Sequence, residues 1–432
     1  VTTTTTTTTE KNTPTTAANN GRFSMNLRLF LLAMSIMPSQ QLTSPIVVVG
    51  LNGALQKRFV LSPGDNLVPG NVHRAVVVQE GVGGKGQDVS IALNCLSNKS
   101  PQQLVQFLGR GPAGDAVHQI LEEMLGKEAM ELTVRSSADL RTCTSIVAFD
   151  ETTELVEPSG DILKDEMQEL YRKVSAIGNQ ARGVCIMGSM PPGCDAETYA
   201  KLYSQVAGPS TVCVVDSVAG IEALFQTASG MGTKSGPIIF KINASELCAV
   251  AGVPKSTSET GGVDKAVLTT AVRHFIVKYS PHASNALLGL AVTDGRHPAH
   301  FVTLADQEEF QLFQIQVPTL DSGRTLYPIG AGDAVAAGTL AAWVSLTAPE
   351  SSYVEVIPKE CFNLLTEGAK QLESVTQSPD VGQAIAAFSF GLVCGSASCL
   401  QEENSVLNVA DVQCLYQALQ SPQLISKQPI TA

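Results

Sequence analysis

Gly81-Val-Gly-Gly-Lys-Gly-Gln-Asp-Val89 follows a strand read at Ala75 to Gln79 and opens a helix that runs through Leu96. It contains G-x-G-x-x-G at Gly81, Gly83 and Gly86, which raises a dinucleotide-binding fold. No acidic residue ends a second strand about 20 residues further on, so that signal is weak. A Walker A loop fails outright, because Lys85 is followed by Gly86 and not by Ser or Thr. What is left is a backbone stripped of side chains around one lysine at a helix start. Free N–H groups and the helix dipole there favour an anion or a hydroxyl-rich ligand. A tight turn with positive φ would need only one of these glycines.

Outward from that string, short β-branched or apolar runs recur at Ile46–Gly50, Gly183–Met187, Thr211–Val215, Pro237–Lys241 and Leu287–Val292. Helical patterns lie between them, as at Ala196 to Val206 and Asp264 to Lys278. Strands alternating with helices imply an α/β fold, a mostly parallel sheet covered on both faces. Lys57 to Gln79 and Arg141 to Val156 break the rhythm and read as antiparallel β, a small lid projecting from the main sheet. Thr347 to Pro379 is polar and reads as an insertion between two late helices. The domain is expected over 45–420, with 421–432 as a tail. Residues 1–44 include an unbroken threonine run, Thr2 to Thr9, and are expected to be a disordered or targeting extension. Its apolar stretch, Leu29 to Met37, is too short to span a bilayer.

Hydrophobic residues make up 44% of the 432, enough for a sizeable core. A formal charge of −12 argues against nucleic acid or an anionic membrane as partner. The ten cysteines form no C-x-x-C pair, which indicates a reducing compartment: the cytoplasm, or a plastid if the N-terminal segment is a targeting peptide. The histidines include no H-E-x-x-H, so no structural zinc is expected.

A second string, Ile329-Gly-Ala-Gly-Asp-Ala-Val-Ala-Ala-Gly338, runs small residues into an apolar helix with an acid in its first turn. Backbone N–H groups from Gly330 through Ala331 and Gly332 to Asp333 can cradle the oxygens of a transferring phosphoryl group. Asp333 then stands where it would take a proton from an attacking hydroxyl. Asp333 reads equally well as a helix N-cap.

GGKG before one helix and GAGD before another, in that order, resemble the PfkB/ribokinase family of carbohydrate kinases. Gly109–Asp115 resembles its early Gly-Asp turn, Gly188-Ser-Met-Pro-Pro-Gly193 its G-S-L-P-P-G, and Val215-Asp216-Ser217 its V-D-S/T. Lys241-Ile-Asn-Ala-Ser-Glu246 is similar to K-P-N-x-x-E, with Ile242 in place of proline. Val292–Gly295 stands where the family has its nucleotide loop, and Phe390 to Ser398 resembles the helix closing over the adenine. The Pro-Pro-Gly turn and Asn71-Val-His-Arg74 resemble the branch of 1-phosphofructokinases and tagatose-6-phosphate kinases.

The resemblance implies a ribokinase-like three-layer α/β/α fold with a β lid, and transfer of the γ-phosphoryl group of ATP to a sugar or sugar phosphate. It implies Asp333 as base; Gln56, Arg74, Gly83, Gly84, Lys85, Asp88 and Arg141 on the substrate; and Lys241, Asn243, Thr293, Gly295 and Ser398 on ATP. Asn243 and Glu246 would order Mg²⁺ through water. Each arginine alone reads as well as a solvated lid charge, and Lys241 as a snorkelling strand end. A homodimer through the lid is expected by analogy. Two departures stand out: the family's sugar-binding Asp after the first strand is Gln56, and the usual Asn of the glycine loop is Asp88. The lost sugar-binding Asp and the long insertion at Thr347 to Pro379 support an alternative, a catalytically weak homologue with a regulatory or scaffold role.

Overall fold

The computed structural model describes residues 45–97, 101–148, 151–258, 261–283, 286–303, 309–321, 323, 325–347 and 356–430. The expected extension at 1–44 lies outside them. Ser44–Ala432 forms one compact unit.

Its strands are β1 (Ile46–Asn52), β2 (Ala54–Val60), β3 (Val77–Gly83), β4 (Gln102–Arg110), β5 (Thr133–Asp139), β6 (Thr142–Ala148), β7 (Glu151–Val156), β8 (Gly183–Met187), β9 (Val212–Asp216), β10 (Ile238–Asn243), β11 (Leu287–Asp294), β12 (His297–Thr303), β13 (Glu309–Ile315) and β14 (Gln423–Pro429). The helices are α1 (Lys85–Leu96), α2 (Pro112–Leu125), α3 (Lys164–Ser175), α4 (Thr198–Val206), α5 (Ile221–Met231), α6 (Ala244–Ala251), α7 (Lys265–Ala283), α8 (Ala331–Thr347), α9 (Lys359–Thr376), α10 (Pro379–Ser398) and α11 (Val409–Gln417).

The main sheet has ten strands in the order β14-β13-β12-β11-β10-β9-β8-β1-β4-β5. It is parallel from β5 to β11 and antiparallel from there to β14. The period of two sorts each strand between two cores. Ile46, Val48, Cys185 and Met187 face α1, α2 and α8 to α11, whereas Val47, Val49, Val184 and Ile186 face α3 to α7. Because both faces are covered, these strands read as unbroken apolar runs. Helix α10 is apolar enough and long enough to cross a membrane, but 94% of its apolar window is buried against the protein itself.

The lid is a separate sheet, β3-β2-β6-β7. Its strands differ from the expected bounds: Ala54–Val60 and Val77–Gly83 carry the pairing, and no strand spans 61–76. The glycine string therefore begins inside lid strand β3, and Gly83 is that strand's last residue. Two further expectations are corrected. Within the stretch expected to be a tail, Gln423–Pro429 forms β14, which pairs antiparallel with β13. Its polar alternation hides Leu424 and Ile425, which pack on opposite cores. Within the supposed insertion lies α9, which buries only Cys361, Leu365, Ala369 and Leu372, a stripe at helical spacing that an otherwise polar composition conceals.

Candidate active site

The site lies at the carboxyl ends of the parallel strands, where open α/β sheets leave a crevice. Asp216 closes β9 and Lys241 sits near the end of β10, each with a side chain only 5% exposed. Lys85 is the first residue of α1. Asp216 Oδ1 accepts from Lys85 Nζ at 2.8 Å and its Oδ2 from Lys241 Nζ at 2.5 Å. Burial alone would raise the Asp216 carboxyl, but Lys241 and then Lys85 outweigh it and hold the pKa below its ordinary value. Burial would strip Lys85 of its proton; Asp216, then Asp333 and Glu246, reverse that, so its pKa is raised and the ammonium is kept.

Gly330 has φ +82°, and its carbonyl accepts the N–H groups of Asp333 at 3.0 Å and Ala334 at 2.9 Å. Asp333 is thus the third residue of α8 rather than its N-cap. A Cβ on Gly332 would stand 3.5 Å from Lys241 Nζ, which places the lysine over the helix entrance. The Asp333 carboxyl is buried, and burial pushes its pKa up to about 7, opposed by Lys85 and Lys241 and assisted by Asp216 and Glu246.

In the glycine string the duties divide. Gly84 has φ +118°. Gly86 meets Gly50 of β1 backbone to backbone, so closely that a Cβ on it would lie 2.4 Å from Gly50 Cα. Part of this string is therefore a packing device. Asp88 is buried in the first turn of α1 with Oδ1 unpartnered among the described residues. Its pKa is raised well above the ordinary value by burial, then by Asp333 and Glu154. Gln56, also buried, donates from Nε2 to Ser145 Oγ at 2.6 Å and lies against Gly83.

Arg141 donates to the carbonyls of Asn52 at 3.0 Å and Gly53 at 3.4 Å, where the chain leaves β1 for lid strand β2. It lines an open hollow with Asn52, Asp139 and Ser159. Asn52 also donates to Ser189 Oγ at 2.9 Å, which brings the Gly188–Gly193 turn to the crest. Arg74 is not gathered in: it is exposed on the irregular stretch between β2 and β3.

Asn243 and Glu246 form a capping box on α6: Asn243 Oδ1 accepts Glu246 N–H at 2.8 Å, and Glu246 Oε2 accepts Asn243 N–H at 3.2 Å. Glu246 Oε1 lies 3.8 Å from Lys85 Nζ. Thr293 pairs in register with Asn243, and Gly295, at φ +59°, turns β11 into β12. Ser398 is not brought together with these residues by any hydrogen bond of its side chain. It is 1% exposed and its hydroxyl donates to Gly395 O at 2.9 Å. Asp216 had no assigned role in the sequence; the available signal was an acid ending an apolar strand.

Two lysines joined by a buried carboxylate, facing amides at a helix start and an acid behind them, equip this crest for phosphoryl transfer to an alcohol. The model of the pfkB family carbohydrate kinases matches residues 52–357. The chain belongs to this family. A 1-phosphofructokinase from Xanthomonas campestris pv. campestris is 27% identical over 300 residues, 68% of this chain and 83% of that protein. Phosphofructokinase-2 from Escherichia coli, solved with fructose-6-phosphate, is 19% identical with a TM-score of 0.59, covering 87% of this chain and 99% of that one. Ribokinase from Giardia lamblia has 16% identity and a TM-score of 0.59, covering 87% and 99%. These two structures establish the ribokinase-like fold.

Proposed function

We propose that this carbohydrate kinase transfers the γ-phosphoryl group of ATP to a primary hydroxyl of a phosphorylated sugar of the fructose-phosphate type. The observation that carries the reading is Asp333, a buried acid with its pKa near 7, at the entrance of α8 beneath Lys241. Its carboxylate takes the proton of the acceptor hydroxyl as that oxygen bonds to the γ-phosphorus and the bond to the bridging oxygen of ADP breaks. Lys241, Lys85 and the amides of Gly330 and Gly332 neutralise the moving charge; the Ala331 N–H, expected to join them, donates instead to the Pro328 carbonyl at 3.2 Å. Arg141 and the hollow beside it take the substrate's own phosphate, since a guanidinium fork suits that anion.

The exchange of residue types at 56 and 88 fits this substrate. Burial, then Asp333 and Glu154, raise the Asp88 pKa and so favour its protonated form, which donates to a sugar hydroxyl and does not repel the phosphate. Gln56 has committed its amide N–H to Ser145, which leaves Oε1 as an acceptor. Mg²⁺ fits only as a largely hydrated ion on the nucleotide phosphates. Asn243 spends its oxygen on the cap, and among the described residues no three His, Cys, Asp or Glu gather into a cage. Glu246 would hold it through water, and the ion would supply charge neutralisation between the phosphates.

The test is ATP turnover by the full chain with Mg²⁺ against fructose 1-phosphate, fructose 6-phosphate, tagatose 6-phosphate, ribose, fructose and adenosine, with Asp333→Asn as control. Turnover of one phosphorylated sugar, lost in the variant, is expected. Turnover only of an unphosphorylated acceptor discards the role given to Arg141. Silence with intact ATP binding favours the regulatory alternative. We extend the reading to a homodimer through the lid, whose edge strands leave Val77, Val78, Leu155 and Val156 43–57% exposed. A monomer by sedimentation at micromolar concentration would count against that extension.

A further inference from the structure

We infer that Arg58 is a positioning residue for phosphoryl transfer: it fastens the lid to the turn that begins α8, so that lid seating and the geometry of the Gly330–Asp333 turn form one unit. This rests on the kinase reading above for its kinetic consequence, and on geometry alone for its structural one.

Arg58 lies in lid strand β2 yet is only 5% exposed. Its guanidinium donates from Nη1 to the carbonyl of Glu402 and from Nη2 to Asn404 Oδ1 at 2.6 Å. It also lies 5.7 Å from the centre of the Tyr327 ring. Gln79, its partner across β2 and β3, donates to Glu402 Oε2 at 3.4 Å. Two lid strands thus grip one short loop of the main body. A rigid guanidinium fork spanning two acceptors sets orientation as well as distance.

That loop continues directly into the site. Ser405, the residue after Asn404, holds φ +57° without being glycine, and is fully buried. Such a conformation persists only where the surroundings impose it. Ser405 Oγ donates at 2.9 Å to the carbonyl of Gly330, the same oxygen that receives the N–H groups of Asp333 and Ala334. A Cβ on Gly330 would lie 2.5 Å from Ser405 Oγ, so the hydroxyl fits only against glycine. The link Arg58–Asn404–Ser405–Gly330–Asp333 runs unbroken from lid to base. When the lid lifts, the loop loses its buried cation, and the carbonyl that sets the turn loses the support behind its third donor. The amide cradle is then in order only while the lid excludes water, which guards ATP against hydrolysis.

The experiment uses the full chain and the variants Arg58→Met, Arg58→Lys, Ser405→Ala and the Arg58→Met/Ser405→Ala pair. Without any ligand, hydrogen exchange at the Asp333 and Ala334 amides is expected to speed up about tenfold in Arg58→Met, as for one lost hydrogen bond. Exchange in the β8 and β9 core should stay unchanged. With ATP and the accepted sugar, kcat should fall by between tenfold and about a hundredfold, the cost of a displacement near 1 Å, while both KM values move little. Ser405→Ala should match it, the paired variant should be no worse than the poorer single, and Arg58→Lys should recover only part. If Arg58→Met does not fold, Asn404→Ala, which removes one acceptor from the loop, carries the same expectation. Unchanged exchange at 333 and 334, a rise in acceptor KM alone, or losses that multiply in the paired variant would overturn the inference. Should no acceptor be turned over by the wild type, the exchange measurement still decides it, separately from the proposed function.

Discussion

Asp216 and Lys85, 131 residues apart in sequence, meet at 2.8 Å and join the crest of β9 to the first residue of α1. The second oxygen of Asp216 holds Lys241 in the same way. Two cations aimed at one anion site would repel each other; a carboxylate between them keeps both in place.

Asp216→Ala should therefore be costly, since Lys241, with a side chain 5% exposed, would be left as a buried cation without its partner. A loss of about 3–5 kcal/mol in urea unfolding at pH 7 is expected. The carboxyl pKa is lowered by folding, so its contribution is complete above the ordinary value of 3.8 and disappears as pH falls through the native value. Wild type and variant should converge in acid, and equal stability at pH 7 would contradict this account.

The Asp333 pKa, pushed up to about 7, sets the acid limb of the pH profile. A base must be unprotonated, so kcat/KM should rise with pH through about 7 and then level, as an apparent value of the Asp333, Asp216 and lysine cluster. Asp333→Asn should lower kcat by about 10²–10⁴-fold and abolish that limb. The stability sign is opposite: a raised carboxyl pKa favours the fold below its ordinary value and the benefit is lost as pH rises through the native one. Asp333→Asn should consequently unfold later than wild type at pH 8.

The two arginines that the resemblance places on the substrate should separate in kinetics. Arg141 borders the hollow and Arg74 is exposed on the stretch before β3. Arg141→Met is expected to raise the KM of a phosphorylated acceptor about 10-fold to 100-fold, the loss of a charged hydrogen bond. Arg74→Met should stay within about twofold, the range of a surface charge. Equal effects would place the acceptor phosphate elsewhere.

Two glycines of one string should differ sharply in thermal melting. Gly86→Ala would drive a Cβ to 2.4 Å from Gly50 Cα, and an overpacked backbone contact of that kind costs about 1–3 kcal/mol. Gly81→Ala meets nothing within 4 Å and should stay within about 0.5 kcal/mol.

Much of the fold is legible in the sequence. Ile46–Asn52 and Gly183–Met187 are apolar on both faces because the sheet is covered twice, and that pattern is local. The strings around Lys85 and Asp333 were legible for a similar reason: chemistry that needs bare backbone leaves glycines in the chain. Helix α9 and strand β14 were not, because each buries only a narrow stripe and the rest of its surface is polar. The burial of Ser398 was not legible either, because a hydroxyl in an apolar helix looks available until its i−3 carbonyl, Gly395, is seen to take it.

The amino-acid sequence by itself determined the alternating parallel architecture, the two glycine-framed helix starts and the acid behind one of them, all features whose physical cause lies within a few residues. Only the tertiary structure decided that Asp216 bridges Lys85 and Lys241, that Gly86 serves packing against Gly50, and that Arg58 of the lid reaches the loop behind Gly330. These depend on which strand ends lie side by side in the sheet. Hydrogen bonds and desolvation act over a few ångströms of space, whatever the separation along the chain.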